Sequence, residues 1–145
     1  MKKIINSMKM EIKAQSVNES FARTVVAAFA AQHDPTLDEI NDLKTAVSEA
    51  VTNCIVHANT KTVAIECELW TEAKKRGISV KIIDFGMGIQ NIEKALEPFY
   101  TTKPDQERSG MGFTVMQSFM DTLCVSNGTK SGTIVEMTKT FGKVG

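Results

Sequence analysis

No stretch of this 145-residue chain approaches the roughly 18 consecutive apolar residues of a membrane-spanning helix. The opening MKKIINSMKMEIK carries positive charge without the apolar run of a signal peptide. A soluble, cytoplasmic protein without membrane attachment is therefore expected. Cysteine is also scarce: Cys54, Cys67 and Cys124 are odd in number and lack metal-ligand spacing. Two of them fall at apolar-patterned positions where a free thiol behaves as a small hydrophobe, which suits a reducing compartment. An excess of charge of one sign is missing too. Lys plus Arg and Asp plus Glu number 17 each, so no global basic field exists to attract nucleic acid, and a direct nucleic-acid ligand is not expected. Repeats and low-complexity linkers are absent. What is present, 42% hydrophobic and 23% charged residues, matches one ordinary globular domain spanning residues 1–145.

Hydrophobic periodicity divides the chain. Met10, Ile12 and Ala14 alternate with charged neighbours and read as a half-exposed first strand, open to edge pairing. Ser16 with Glu19 has the spacing of a capping box, and Phe21, Val25, Ala28 and Phe29 then repeat at helical spacing to about Gln32. His33, Asp34 and Pro35 read as a break, with His33 a loop residue. Thr36 with Glu39 forms a second capping-box pattern ahead of a long helix marked by Ile40, Leu43, Val47, Ala50, Val51 and Cys54. Val63, Ile65, Cys67 and Leu69 alternate, a charged turn follows from Glu72 to Gly77, and Ile78, Val80 and Ile82 complete a hairpin. A short helix is expected over 89–97 and a polar lid over about 98–109. Another helix runs from about Gly112, with Met116, Phe119, Met120 and Leu123 inward. Strand residues around 123–126, a turn at Asn127–Gly128 and a last strand from Thr133 to Thr140 close the chain. This order predicts an α+β two-layer sandwich, with a mixed, mostly antiparallel sheet and helices on one face.

Three short motifs carry the chemistry: EAVTN at Glu49–Asn53, DFGMG at Asp84–Gly88 and SGMGF at Ser109–Phe113. An acid ending a strand can accept a hydrogen bond from a purine exocyclic amine. Glycines after it, here Gly86 and Gly88, let the backbone pass the base without Cβ clashes. A second glycine pair opening a helix, Gly110 and Gly112 beside Ser109, offers backbone N–H groups and the positive end of a helix dipole to phosphate. Glu49 and Asn53 are one turn apart and share a helix face that can hold a metal ion and an attacking hydroxyl together. At about 100° per residue they lie roughly 120° from the middle of the apolar stripe, at the edge of the buried face.

Taken in order, these motifs resemble the N box and the two glycine boxes of the ATP-binding fold shared by gyrase B and histidine kinases, and the match covers nearly the whole chain. Within that superfamily NESFAR (Asn18–Arg23), VSEAVTN (Val47–Asn53) and TTKPDQERSGMGFTVMQSFMD (Thr101–Asp121) look most like the family of sporulation anti-sigma-F factors. The resemblance implies a homodimeric protein-serine kinase, using ATP and Mg²⁺, that sequesters an RNA polymerase sigma factor and phosphorylates a serine on an anti-anti-sigma protein. By that resemblance Glu49 is the general base and Asn53 the Mg²⁺ ligand. Asp84 reads adenine with Thr133 nearby, and Gly86 and Gly88 shape the pocket. Arg108, Ser109, Gly110 and Gly112 surround the β- and γ-phosphates, with Thr101 and Lys103 as lid contacts. Met87 and Met111 line the nucleotide, and Arg23 is a partner contact. The chain departs from the family after Ala58, where NTKT leads quickly into strand and a longer insert is expected.

Blander readings stand beside these. Polar pairs one turn apart are usually a solvated face, and His57 serves equally well as a packed or capping residue. A histidine-kinase catalytic module would also suit EPFYTTKP at Glu97–Pro104, but no helical hairpin with an acceptor histidine accompanies it. A nucleotide-gated binder in which Glu49 is structural is a third reading. DFG does not indicate a eukaryotic protein kinase, because no Gly-rich loop, strand lysine or HRD sequence precedes it.

Overall fold

The structure, a computed structural model, describes residues 1–86, 92, 96, 112–128 and 132–142. The alternating N-terminal segment forms β1 (Lys3–Lys13), followed by α1 (Val17–Ala30), a 3-10 turn (Ala31–His33) and α2 (Leu37–His57). Then come β2 (Thr62–Glu72), β3 (Lys75–Asp84), α3 (Gly112–Phe119), β4 (Thr122–Asn127) and β5 (Thr133–Phe141). The strands form one sheet in the order β1-β2-β3-β5-β4, antiparallel at every described pairing, where a mixed sheet was expected. The expected short helix over 89–97 and the lid over 98–109 fall almost wholly outside the described residues. Of them only Ile92 and Leu96 are described, joined by a backbone hydrogen bond of 3.1 Å.

Period-two alternation separates the two faces of the sheet. Val63, Ile65, Cys67 and Leu69 of β2, Ile78, Val80 and Ile82 of β3, and Val135 and Met137 of β5 are buried in one cluster with α1, α2 and Met116 of α3. The opposite face carries an alternating charge ladder, Lys9 opposite Glu66, Glu66 opposite Lys81 and Lys81 opposite Glu136. Opposite charges paired directly across strands contribute roughly 0.2–1 kcal/mol each, and a slip of one residue would send them into the core. β1 is an edge strand, and a bulge between Ile4 and Asn6 leaves Ile5 exposed.

The helix starts behave differently. At Thr36 the backbone is extended, its hydroxyl accepts from Glu39 N–H at 3.2 Å, and the Glu39 carboxylate accepts from Thr36 N–H at 2.8 Å, so this capping box forms. The Ser16 box does not. Ser16 is already helical (φ −54°, ψ −36°), so its side chain cannot fold back on the first turn, and Glu19 instead meets Arg23 at 3.3 Å. The buried stripe of α1 is Ala22, Val26, Phe29 and Ala30, one residue out of phase with expectation. Phe21 is 56% exposed, Ala28 is exposed and Val25 is half-buried. The buried stripe joins Ala46, Val47 and Ala50 of α2 in one buried cluster. His33 is buried, not a free loop residue, and its Nε2 lies 2.8 Å from the carbonyl oxygen of Trp70.

The hairpin turn is shorter than the charged run Glu72–Gly77 implied. Glu72 pairs directly with Lys75, so Ala73 and Lys74 alone make the turn, with Ala73 at φ 55°. A left-handed conformation costs an L-residue about 1–2 kcal/mol, part of which glycine's greater unfolded-state entropy would offset. Ala73→Gly is therefore expected to stabilise the fold by about 0.5–1 kcal/mol, raising the thermal midpoint by a few degrees in calorimetry. A lower midpoint would show that the turn carries no such strain.

Candidate functional site

The site forms where three elements meet. The long periodicity of α2 delivers Glu49 and Asn53, one turn apart and both half-buried, at the edge of its buried face. Asp84 ends β3 and is only 4% exposed, so its carboxylate lies inside the protein and needs donors. It has three. Oδ1 accepts from the backbone N–H of Gly86 at 3.0 Å and of Thr133 at 3.2 Å, and Oδ2 accepts from the Cys54 thiol of α2 at 3.9 Å. Burial pushes the Asp84 carboxyl above its ordinary range, and the donors from Gly86, Thr133 and Cys54 hold it back.

The chain around Asp84 is packed backbone on backbone. A Cβ on Gly86 would sit 1.6 Å from the carbonyl oxygen of Ala58, which caps α2, so only glycine lets the DFG segment pass that helix end. Gly132, at φ 90°, stands against the Asp84 carbonyl, where a Cβ would come within 2.1 Å. It brings the Thr133 N–H onto the carboxylate. On the other side the Thr60 hydroxyl accepts from Phe85 N–H at 3.1 Å and donates to the Thr62 carbonyl at 2.8 Å. The short NTKT connection is thus tied directly to DFG.

The structure therefore brings Asp84, Gly86 and Thr133 together next to the α2 segment that carries Glu49 and Asn53. Thr133 takes part through its backbone N–H. Arg23 stands apart on α1 in its contact with Glu19, and Gly112 is the buried first residue of α3. Gly88, Thr101, Lys103, Arg108, Ser109, Gly110 and Met111, with Met87, lie outside the described residues. Sequence reasoning missed Cys54, which the apolar stripe of α2 absorbs, and Gly132, whose only signal is a glycine just before a strand. It also missed Lys139 on β5, whose buried ammonium donates to the Phe119 carbonyl at 2.7 Å and pairs with Asp42 at 3.6 Å. That cation closes the C-terminal end of α3 and ties it to α2.

In chemical terms the cluster is a buried acceptor held by two backbone N–H groups and a thiol of α2, the helix that also carries Glu49 and Asn53. Among the described residues no group of three or more His, Cys, Asp or Glu converges on a metal position. A Mg²⁺ ion that keeps its waters and binds phosphate needs no such cage, and a single amide oxygen such as that of Asn53 fits that donor set.

Because burial raises the Asp84 carboxyl, the folded state binds this proton more tightly than the unfolded chain. Stability from this group is then fully present below the unfolded value and is lost as pH rises through the folded one. Asp84→Asn keeps the acceptor for Gly86 and Thr133 without the charge. Its thermal midpoint relative to the parent is expected to improve as pH rises from 3.5 to about 7, by a few degrees in melting curves. A pH-independent difference would mean that the ionised carboxylate is not penalised by burial.

The chain matches the Histidine kinase-like ATPase domain family over residues 12–139. It is 53% identical over 138 residues to the anti-sigma F factor of Caldanaerobacter subterraneus subsp. tengcongensis, covering 95% of this chain and 96% of that one. It is 52% identical over 139 residues to the anti-sigma F factor of Clostridium beijerinckii, covering 96% and 97%. Among solved structures, the RsbU and RsbW domains of a Mycobacterium tuberculosis protein superpose with a TM-score of 0.66 at 13% identity, over 96% of this chain and 33% of that one. A mycobacterial sensor histidine kinase superposes with a TM-score of 0.56 at 14% identity, over 94% and 100%. These two show the shared fold; the sequence relatives and the family match place the chain in the anti-sigma F factor family, built on a histidine kinase-like ATPase domain.

Proposed function

We propose that this chain is an ATP- and Mg²⁺-dependent protein-serine kinase that also sequesters an RNA polymerase sigma factor, and that its substrate is a serine on an anti-anti-sigma protein. The observation that carries the nucleotide part is the buried Asp84 carboxylate. Two backbone N–H groups hold Oδ1, and among the described residues Oδ2 meets a weak thiol donor alone, so it can still accept from an amine such as that of adenine. The kinase and sigma-binding parts rest on relatives at about half identity that carry the anti-sigma F factor name.

In this reading the Glu49 carboxylate takes the proton of the substrate serine as its oxygen bonds to the γ-phosphorus and the bond to the β-phosphate oxygen breaks, releasing ADP. Asn53 holds Mg²⁺, which neutralises phosphate charge when bound. Gly88, Thr101, Lys103, Arg108, Ser109, Gly110, Met111 and Gly112 complete the nucleotide contacts, with Arg108 reading the γ-phosphate. ATP and ADP can then favour different partners if the segment 98–109 responds to that phosphate. Arg23, on the half-exposed flank of α1, is assigned to a partner contact. The open edge of β1 is the surface for a homodimer. Among the described residues no helix is long and apolar enough to cross a membrane, which accords with a cytoplasmic place for this work.

The test is transfer from radiolabelled ATP with Mg²⁺ to the anti-anti-sigma protein. Acid-stable label on that protein is expected, whereas acid-labile label would favour histidine-kinase chemistry. Glu49→Ala is expected to slow transfer by about 10²- to 10⁴-fold while nucleotide binding survives. Unchanged transfer would remove Glu49 from the mechanism and leave a nucleotide-gated binder as the better reading.

A further inference from the structure

Two thiols are buried in this protein and they stand in different surroundings. Cys67 lies on β2 among Ile65, Leu69 and Val80, and burial alone pushes its thiol up to about 12. Cys54 lies on α2, 4% exposed, with its sulfur 3.9 Å from Oδ2 of Asp84, and burial and the carboxylate together push its thiol far above the ordinary range. A thiol held neutral in this way is a poor nucleophile. No disulfide engages it, and among the described residues no metal-binding group includes it. What remains to it is the hydrogen on sulfur, which faces the carboxylate that the nucleotide reading assigns to base recognition.

The two oxygens of Asp84 are supported unequally. Oδ1 is held by two backbone N–H groups, from Gly86 and Thr133, which the loop geometry supplies without any side-chain donor. Among the described residues Oδ2 has one donor, a side chain of α2. An alanine or valine at position 54 would suit the apolar stripe equally well and would leave Oδ2 facing α2 without a donor.

We propose that Cys54 is a positioning residue for purine selectivity: its thiol holds Oδ2 of Asp84 so that the carboxylate presents an acceptor, in a fixed orientation, to the 6-position of the base. This rests on the nucleotide-binding reading above. Adenine carries an amino donor at that position, whereas hypoxanthine and guanine carry a carbonyl, which a fixed carboxylate repels. Loosening the carboxylate weakens the bond to the amine and relieves the repulsion of the carbonyl, so selectivity falls from both sides.

The experiment is calorimetric titration of the full chain with Mg-ADP and with Mg-IDP, for the parent, Cys54→Ala and Cys54→Ser, with melting curves alongside. Loss of a weak hydrogen bond to a charged acceptor predicts that the ADP-to-IDP affinity ratio falls about 5-fold in Cys54→Ala. Cys54→Ser, which keeps a donor, is expected to retain most of the ratio even where its melting point drops. An unchanged ratio in Cys54→Ala, or equal weakening of both nucleotides in parallel with stability, would overturn the proposal and leave Cys54 as packing. Failure of the parent to bind ADP would instead bring down the nucleotide reading, and this inference with it. A second readout needs no ligand: the S–H stretch of Cys54 in difference infrared spectra should be displaced from that of Cys67, and the displacement should disappear in Asp84→Asn. Coincident bands in the parent would also refute the contact.

Discussion

A carboxylate placed inside a protein must be surrounded by donors, and most of the architecture near the C-terminal end of β3 follows from meeting that requirement for Asp84. Among the described residues it accepts from Gly86, from Thr133 and from the thiol of Cys54, three separate parts of the chain. Each donor imposes a condition. Gly86 must lack a side chain because the carbonyl of Ala58 occupies that space, and Gly132 must take a positive φ against the Asp84 carbonyl to deliver the next residue's N–H. β5 must lie beside β3, and α2 must end over the same corner. An apolar residue at position 84 would need no donors and would be easier to bury. That the chain keeps an acid there is the physical argument for a site.

The opposite end of the molecule is held by similar means to a different purpose. The Glu39 carboxylate closes the capping box of α2 and also accepts from the N–H of Gly142, at 3.2 Å to Oε1 and 2.9 Å to Oε2, so it fastens the end of β5 to the start of the helix. Arg76 donates to the carbonyls of His33 and Asp34, each at 2.8 Å, and secures the turn between α1 and α2. Lys139 joins β5, α2 and the C-terminal end of α3 through one ammonium group. These contacts fix where α2 and α3 stand on the sheet. The placement of α2, which carries Cys54 to Asp84, depends on them although none of them belongs to the cluster.

Legibility in the sequence followed the strength of local signals. α2 was readable because a capping box, a long apolar period and a polar flank agree, and because Glu49 and Asn53 keep their relation wherever the helix packs. The strands β2, β3 and β5 were readable from alternation, and Asp84 with Gly86 from the conjunction of a strand end and a glycine turn. In α1 the sequence VVAAFAA offers apolar residues on more than one side, so periodicity alone could not choose between the stripe with Phe21 and the stripe with Ala22. Packing of α1 in the common core with α2 decided it. Ser16 failed as a cap for a related reason, since spacing shows which residues could bond but not whether the backbone is extended.

The long helix α2, the alternating strands and the family were legible in the chain alone, because helix and strand periods and the order of three motifs are properties of neighbouring residues, whereas the face of α1 was not. Only the tertiary structure decided which groups complete the site. Cys54 reads as one more apolar residue of a helix, Gly132 as one more turn glycine and Lys139 as one more surface lysine. Each acquires its role from a partner 20 to 49 residues or more away in the chain. Such partners meet only when the sheet order β1-β2-β3-β5-β4 sets β5 beside β3 and lays α2 across both, and no local pattern encodes that meeting.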